Sequence, residues 1–280
     1  AADLIGAINK NIGSDGLRFY PGKSYRHLLV VKSSLAHALL KIKTTPPHDI
    51  LDKNIHEYLP IGEEQDFLLG IMKKAQAVLQ NHPLNQARIQ RNENPATDIW
   101  LWGQGKRPNL PTFKEKFGLT GSIISAVDLV NGIGRLAGLE VITVPGATGY
   151  YDTDYSAKAH YGLKSLEQKD FVYIHVESPD EAGHNGDYKE KVKAIERIDA
   201  DIVGAVQSWT ANRNDVRILI SPDHPTPVAK RTHTRSPVCF LMAGEGIDAN
   251  RVNGFSENLA TQAGLKFKSG ADMVAHFLKH

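Results

Sequence analysis

Five side chains of metal-binding type lie beside predicted strands in the second half of the chain. Asp180 and His184 follow the apolar stretch DFVYIHV, and Asp223 and His224 follow VRILIS. His233 comes shortly before a further apolar stretch, PVCFLMAG. In open α/β sheets, binding sites form outside the carboxyl ends of the strands. We therefore expect these five side chains to lie near one another in the folded chain.

The donor atoms of this set are carboxylate oxygens and imidazole nitrogens, with no thiolate among them. Such a mixture suits manganese, zinc, iron or cobalt better than calcium. Five residues also exceed the three protein ligands of a typical open catalytic site, which indicates more than one metal ion. Paired metal ions neutralise the charge of a phosphoryl group during its transfer. The residues therefore predict a two-metal site for phosphate chemistry.

Each residue also has a simpler structural interpretation when it is taken by itself. Asp180 can cap the helix that follows, because a carboxylate there satisfies free amides. Asp223 and His224 can belong to a turn between two prolines. His175 lies inside the apolar strand and is predicted to be a core histidine, and Cys239 a small apolar core residue.

The segment VESPDEAGHNGD, residues 176–187, contains several more acidic groups around its histidine. Glu181 and Asp187 are predicted to be helix-start residues, where acidic side chains are favourable. Gly183 is expected to allow a tight turn of the backbone between Asp180 and His184.

Apolar strands and amphipathic helices alternate around these residues. Strands are predicted in GSIISA, EVITVPG, DFVYIHVE, VRILIS and PVCFLMAG. Helices are predicted in VDLVNGIGRLAG, TDYSAKAHYGLKSLEQ and GDYKEKVKAIERIDADIVGAVQSWT. This order predicts an α/β fold with a mostly parallel sheet covered by helices on both faces.

The first part of the chain is predicted to form a separate, smaller α+β domain. LRFYPGKSYRHLLVVK is typical of two strands around a Pro-Gly turn, and the paired prolines of TTPPHDIL favour a loop. EEQDFLLGIMKKAQAVLQNH has its apolar residues at helical spacing. ATDIWLWGQG is predicted to be a short strand followed by a linker, which places a domain boundary near residue 108.

Composition excludes several classes of function. The 280 residues carry a net charge of +2, which gives no reason to expect nucleic-acid or membrane partners. The single cysteine excludes an internal disulfide framework and a cysteine zinc cluster. No apolar run approaches the roughly 20 residues that span a bilayer. A cytoplasmic protein is the default expectation, with the oligomeric state left open.

Several motifs, in order along nearly the whole chain, resemble one family. They are LRFYPGKSYRHLLV, PPHDI, ATDIWLWGQG, HVESPDEAGHNGD, SPDHPTP and THTRSPVCFLMAG. Together they look like the archaeal-type cofactor-independent phosphoglycerate mutases of the alkaline phosphatase superfamily. The resemblance implies an isomerase that moves a phosphate between the 2- and 3-hydroxyls of glycerate through a phosphoserine enzyme. It also implies a small phosphorylated acid as substrate and no bisphosphoglycerate cofactor.

The resemblance further assigns the metal ligands. Asp180, His184 and His233 would hold one divalent ion, and Asp223 and His224 would supply part of the site for a second. Manganese is the expected metal, with zinc, cobalt or magnesium as alternatives.

By the same resemblance, residues 1–107 correspond to most of the inserted substrate-binding (lid) domain. Residues 108–280 correspond to the C-terminal part of the metal-binding domain. Arg26 and His27 are the main candidates for binding a phosphate or carboxylate, since a planar guanidinium suits oxyanions. Lys106 and Arg107 are weaker candidates, and Arg88 is expected to be a surface charge.

The chain departs from the family's pattern at its start. The family begins with a strand that carries a Gly-Asp-Gly motif, and a nucleophilic serine follows; neither is found here. Ser14, in GSDG, is expected to be a turn residue. The alkaline phosphatase-like core is therefore expected to be incomplete in this chain, through cleavage, deletion or a start further upstream. We expect the chain alone to keep the first metal site but to lack mutase activity.

Two other functions fit the same residues. A related metal-dependent phosphotransferase or phosphatase would share the metal site and act on another small substrate, such as homoserine. A non-catalytic metal-binding module is the third alternative, to which the partial second metal site gives little support.

Overall fold

A computed structural model of the chain describes residues 1–22, 26–32, 34, 36–50 and 52–279. The chain divides into two compact units, Ala1–Pro108 and Asn109–His280. No helix among the residues described is both long and apolar enough to cross a membrane.

The first unit contains a two-stranded antiparallel sheet and four α-helices among its described residues. Strand β1 pairs with β2 so that Leu17 lies opposite Val31. Both strands were predicted and are confirmed, although residues 23–25 of the predicted connection lie outside the described residues. The element bounds are α1 Ala2–Ile12, β1 Leu17–Tyr20, β2 Leu28–Val31, α2 Ala36–Leu39, α3 Gln65–Gln80 and α4 Pro83–Gln90.

The core of this unit forms between α1, β1 and α3. Ile8 of α1 is fully buried and packs in one cluster with Phe19 of β1 and Ala75 of α3. The apolar positions of α3 recur at helical spacing, and this helix confirms the prediction made from that pattern. The predicted loop TTPPHDIL contains one short 3₁₀ helix, Pro47–Asp49, whose first proline already has a fixed φ.

One predicted strand in the first unit is wrong. Residues 93–112, all of them described, form no helix or strand. Side chains hold this segment instead: the Trp100 indole donates to Thr45 O at 2.8 Å, and the Gln104 amide donates to Ile42 O. Because these contacts replace a backbone ladder, the aromatic composition did not produce a strand.

The second unit is built on a three-stranded parallel sheet. Its strands are β3 Gly121–Ile124, β4 Glu140–Val141 and β5 Phe171–Ile174, in the spatial order β4-β3-β5. All four residues of the central strand β3 are buried, as expected for a parallel strand with covered faces. Helices α5 Phe113–Phe117, α6 Asp128–Leu136 and α7 Tyr155–Ser165 belong to this part of the unit. The predicted α/β class is confirmed.

The last two strands pair with each other rather than with that sheet. Strand β6, Arg217–Ile220, runs antiparallel to β7, Leu241–Gly244. Residues 221–240, between them, contain no helix. Parallel neighbours need a long crossover connection that is usually helical, so a return without a helix favours the antiparallel pairing.

Helices occupy most of the chain between β5 and β6. Helix α8 spans Ser178–Asn185, α9 spans Tyr188–Arg197 and α10 spans Gly204–Thr210. A π-helical segment, Ile198–Val203, joins α9 to α10, so the long helix predicted here is confirmed but contains one irregular turn. Helices α11, Glu257–Ala260, and α12, Gly270–Lys279, follow β7.

Candidate metal centre

Helix α8 carries two of the predicted ligands. It begins at Ser178, shortly after β5 ends, and Pro179 occupies a first-turn position that suits proline. Asp180 and His184 are four residues apart and so share one face of the helix. Their facing atoms, Asp180 Oδ2 and His184 Nε2, are 3.4 Å apart. The helix therefore brings these two side chains together by its period alone.

The role predicted for Gly183 is wrong. This glycine lies inside α8 rather than in a turn. A Cβ atom at this position would lie 2.4 Å from Thr226 O. Gly183 thus allows α8 to approach the backbone of the loop after β6.

That loop brings the remaining candidates to α8. The imidazole of His233 lies with its Nε2 3.0 Å from His184 Nε2 and 3.3 Å from Asp180 Oδ1. Within the loop, the Thr234 amide donates to Pro225 O at 3.0 Å. This backbone contact folds the segment back so that His233 lies beside His224, with ring centroids 3.8 Å apart.

Asp180, His184 and His233 form what we call the first cluster. One ligand atom from each lies within 4.8 Å of the others, an arrangement that can hold a metal ion. Three protein ligands, one carboxylate and two imidazoles, match the donor set of open catalytic sites. None of the three is fully buried, so a bound ion would remain accessible to a substrate.

Asp223 and His224 form what we call the second pair. His224 Nε2 lies 3.3 Å from Asp223 Oδ2, and His224 Nδ1 lies 4.0 Å from Asp180 Oδ1. The pair therefore adjoins the first cluster through Asp180. All five ligands predicted from the sequence lie in one region of the second unit.

The environment of His184 fits metal binding. Its Nδ1 atom lies 3.1 Å from the backbone oxygen of Arg231. A carbonyl oxygen only accepts hydrogen bonds, so Nδ1 must carry the proton and Nε2 keeps its lone pair toward Asp180 and His233. A histidine whose second nitrogen donates to a carbonyl is a recurring arrangement at metal sites.

Helix-capping alternatives are decided by the hydrogen bonds. Asp180 does not cap α8, because the N-cap position is Glu177; its carboxylate accepts from the Thr226 hydroxyl. Glu181 lies in the first turn of α8, and Asp187 caps α9 by accepting from the Glu190 amide at 3.0 Å. The helix-start predictions for Glu181 and Asp187 are confirmed.

A second polar group lies at the carboxyl ends of β3 and β5. The hydroxyl of Ser125 is 3.2 Å from His175 Nδ1, and Lys158 donates to His175 O at 3.1 Å. Burial is the main cause that lowers the pKa of His175. Burial also lowers the pKa of Lys158 to about 8, while the Glu177 carboxylate acts in the opposite direction.

Sequence reasoning missed Lys158, Ser125 and Thr226. Lys158 is almost completely buried on α7, where a charged residue in the middle of a helix gives no signal. Ser125 directly follows β3, a position that the rule on strand ends does indicate. Thr226 lies two residues after His224 in a polar loop, and its spacing alone does not distinguish it.

The candidate substrate residues lie in the first unit. Arg26 and His27 come just before β2, where His27 Nδ1 accepts from the Gly22 amide at 3.1 Å. Burial lowers the pKa of His27. Lys106 and Arg107 are exposed in the irregular segment 93–112, and Arg88 is exposed near Glu93.

Comparison with known proteins places the chain in a family. Residues 50–277 match the model of the Metalloenzyme superfamily, and residues 1–85 match that of 2,3-bisphosphoglycerate-independent phosphoglycerate mutase. A probable mutase of this kind from Geobacter sulfurreducens is 48% identical over 277 residues, which cover 99% of this chain and 68% of the relative. The chain belongs to the 2,3-bisphosphoglycerate-independent phosphoglycerate mutase family. The resemblance found in its motifs is thereby confirmed.

Other members of this mutase family agree. The mutase of Methanosarcina barkeri is 43% identical over 278 residues, covering 99% of this chain and 69% of the relative. A solved structure from Pyrococcus horikoshii superposes with a TM-score of 0.76 at 28% identity, covering 94% of this chain and 64% of that one. The chain thus spans about two thirds of the length of the proteins that it matches.

Proposed function

We propose that this chain takes part in the interconversion of 2- and 3-phosphoglycerate at a centre of two divalent metal ions. The observation that carries the proposal is the first cluster, whose three ligand atoms converge within 4.8 Å. Membership of the mutase family supports the substrate class, a small phosphorylated acid, and a reaction that needs no bisphosphoglycerate cofactor.

The roles of the five side chains follow from their positions. Asp180, His184 and His233 would hold one metal ion, and Asp223 and His224 would contribute to the site of the second. Manganese suits the mixture of one carboxylate and two imidazoles, as do zinc and cobalt, and magnesium is a further candidate. Bound divalent ions supply the positive charge that offsets the charge of a phosphoryl group.

The first unit is proposed to recognise the substrate. Residues 1–107 would act as the substrate-binding lid, in which Arg26 and His27 bind the phosphate or carboxylate. Lys106 and Arg107 are the weaker candidates for the same task. A guanidinium binds oxyanions through two parallel hydrogen bonds, which favours Arg26 among the four.

The nucleophile is not identified among these 280 residues. The chain contains no Gly-Asp-Gly motif. Ser14 forms a backbone bridge with Leu17 at the turn before β1, which supports its role as a turn residue. We therefore propose that the 280 residues by themselves bind metal but do not turn over phosphoglycerate, because the covalent route needs the serine.

The purified 280-residue chain tests both statements. Manganese titration by calorimetry should show binding that Asp180→Ala abolishes and that Asp215→Asn, an exposed carboxylate before β6, leaves unchanged. A coupled assay with 3-phosphoglycerate should show no turnover. Normal turnover would overturn the proposed inactivity, whereas failure to bind manganese, zinc and cobalt would overturn the metal centre.

A further inference from the structure

The hydroxyl of Thr226 contacts both groups of candidate ligands. It donates to Asp180 Oδ1 of the first cluster, and it lies 3.3 Å from His224 Nδ1 of the second pair. Thr226 is buried, with 4% of its surface exposed, so water does not compete freely for these contacts. One side chain outside the predicted ligands therefore links the two groups.

The direction of these hydrogen bonds follows from the chemistry of the three groups. A hydroxyl has one proton to donate and two lone pairs, whereas an ionised carboxylate only accepts. The proton of Thr226 is therefore committed to Asp180. The contact with His224 can form only if His224 Nδ1 is the donor and the threonine oxygen accepts.

This arrangement leaves His224 Nε2 without a proton in the neutral ring. That nitrogen faces Asp223 Oδ2 at 3.3 Å, so two acceptors point toward each other. Two lone pairs at this distance repel unless a proton or a cation lies between them. His184 has the same polarity, since its Nδ1 donates to Arg231 O and its Nε2 faces Asp180.

We propose that Thr226 is a positioning residue that fixes His224 as the Nδ1-protonated tautomer and ties it to Asp180. The proposal rests on the metal centre described above and extends it, because it gives the two groups of ligands a shared support. Loss of the hydroxyl removes one hydrogen bond from a ligand in each group. It therefore affects the first cluster and the second pair together.

Contacts from two helices hold Thr226 in place. Lys191 of α9 donates to Thr226 O at 2.8 Å. Gly183 of α8 leaves space for the same carbonyl and for the threonine methyl, which a Cβ would meet at 2.4 Å and 2.9 Å. The hydroxyl is thus presented by a fixed backbone, as a group that orients ligands requires.

Three variants test the proposal. Thr226→Val keeps the shape of the side chain and removes the hydroxyl, whereas Thr226→Ser keeps the hydroxyl. Thr210→Val is a matched control, because its hydroxyl bonds to the Gln207 carbonyl of its own helix, away from the ligands. Backbone amide spectra check that each variant remains folded.

The first measurement is the tautomer of His224 in the metal-free chain, read from the ¹⁵N shifts of its ring at a pH where the imidazole is neutral. The wild type, Thr226→Ser and Thr210→Val should show a protonated Nδ1, and Thr226→Val should lose this preference. A protonated Nε2 in the wild type would overturn the proposal, whether or not the chain binds metal.

The second measurement is zinc affinity by calorimetry. Thr226→Val should bind zinc about 10- to 100-fold more weakly, the usual effect of losing a group that supports a ligand. Thr226→Ser and Thr210→Val should stay close to the wild type. Unchanged affinity in a folded Thr226→Val would overturn the proposal, while a wild type that binds no zinc would overturn the metal centre instead. If Thr226→Val does not fold, the wild-type tautomer and the Thr226→Ser affinity decide.

Discussion

Asp180 and His184 lie one helical turn apart on α8, whereas Asp223 and His224 are neighbours in a loop without regular structure. The period of the helix aims the first two side chains in one direction. Adjacent loop residues have no such constraint, and His224 is oriented by Thr226 and by the ring of His233. The difference shows that similar ligands can be positioned by a helix in one case and by surrounding side chains in the other.

Asp180 is the residue that the two groups share, and its replacement should have the largest effect. Asp180→Asn is expected to weaken metal binding by more than about 100-fold, beyond the range usual for supporting residues. Asp223→Asn should spare the first metal ion and weaken only a second one. Manganese titration followed by electron paramagnetic resonance distinguishes the two variants. Equal loss of the first ion in both would contradict the separation of the two groups.

Gly183 tests whether the approach of α8 to the loop matters. In Gly183→Ala the new methyl group meets the Thr226 carbonyl, so the helix and loop must move apart. Overpacking of this kind costs about 1–3 kcal/mol. Metal affinity should fall by roughly 10-fold, as the ligands of α8 and the loop separate.

A matched glycine provides the control for that variant. A Cβ atom added at Gly132 of α6 would have no neighbouring atom within 4 Å, so Gly132→Ala meets open space. It should stabilise the chain by up to about 1 kcal/mol, because alanine favours a helix. Urea denaturation measures both free energies of unfolding. Equal changes in the two variants would show that contact with Thr226 is not the cause.

Lys158 should have the smallest effect on metal affinity and a clear effect on pH dependence. Burial lowers its pKa to about 8, below the value of about 10.4 for an unfolded chain. Between these values the unfolded chain binds more protons, so the contribution of Lys158 to stability rises with pH. Below pH 8 its unfavourable contribution is fully present.

Lys158→Met removes this titration. The free energy of unfolding of the wild type relative to the variant should increase between pH 8 and pH 10, by at most about 1.4 kcal/mol per pH unit. Urea denaturation across this range measures the difference. A difference that stays constant with pH would show that Lys158 does not titrate in this window.

The sequence predicted the ligands better than the structure that carries them. Asp180 and His184 were expected in a loop, yet Pro179 and the acidic first turn are signals of a helix start. The concentration of ligand-type residues drew attention to chemistry rather than to these signals. Because helical and loop spacing both bring residues 180 and 184 together, the predicted contact holds although its cause was different.

Other features depended on contacts that are remote in sequence. The apolar spacing of α3 suffices to predict the helix, because a buried face needs only local periodicity. The pairing of β6 with β7 depends on how a long loop returns, and local composition does not show it. Thr226 is recognisable only once α8 lies beside it. Local patterns thus predicted the elements, and packing determined their support.

The helical run from Tyr188 to Thr210 packs against α8 at its start and against α7 further along. Its π-helical segment adds one residue to a turn, which rotates the faces on either side by about 100° relative to each other. Lys191 can therefore reach Thr226 while Ile202 packs with Tyr155 in the core. Deleting one residue from this segment would put the two ends out of phase without breaking the helix. In this part of the chain, a change of length should be tolerated far less than a change of residue.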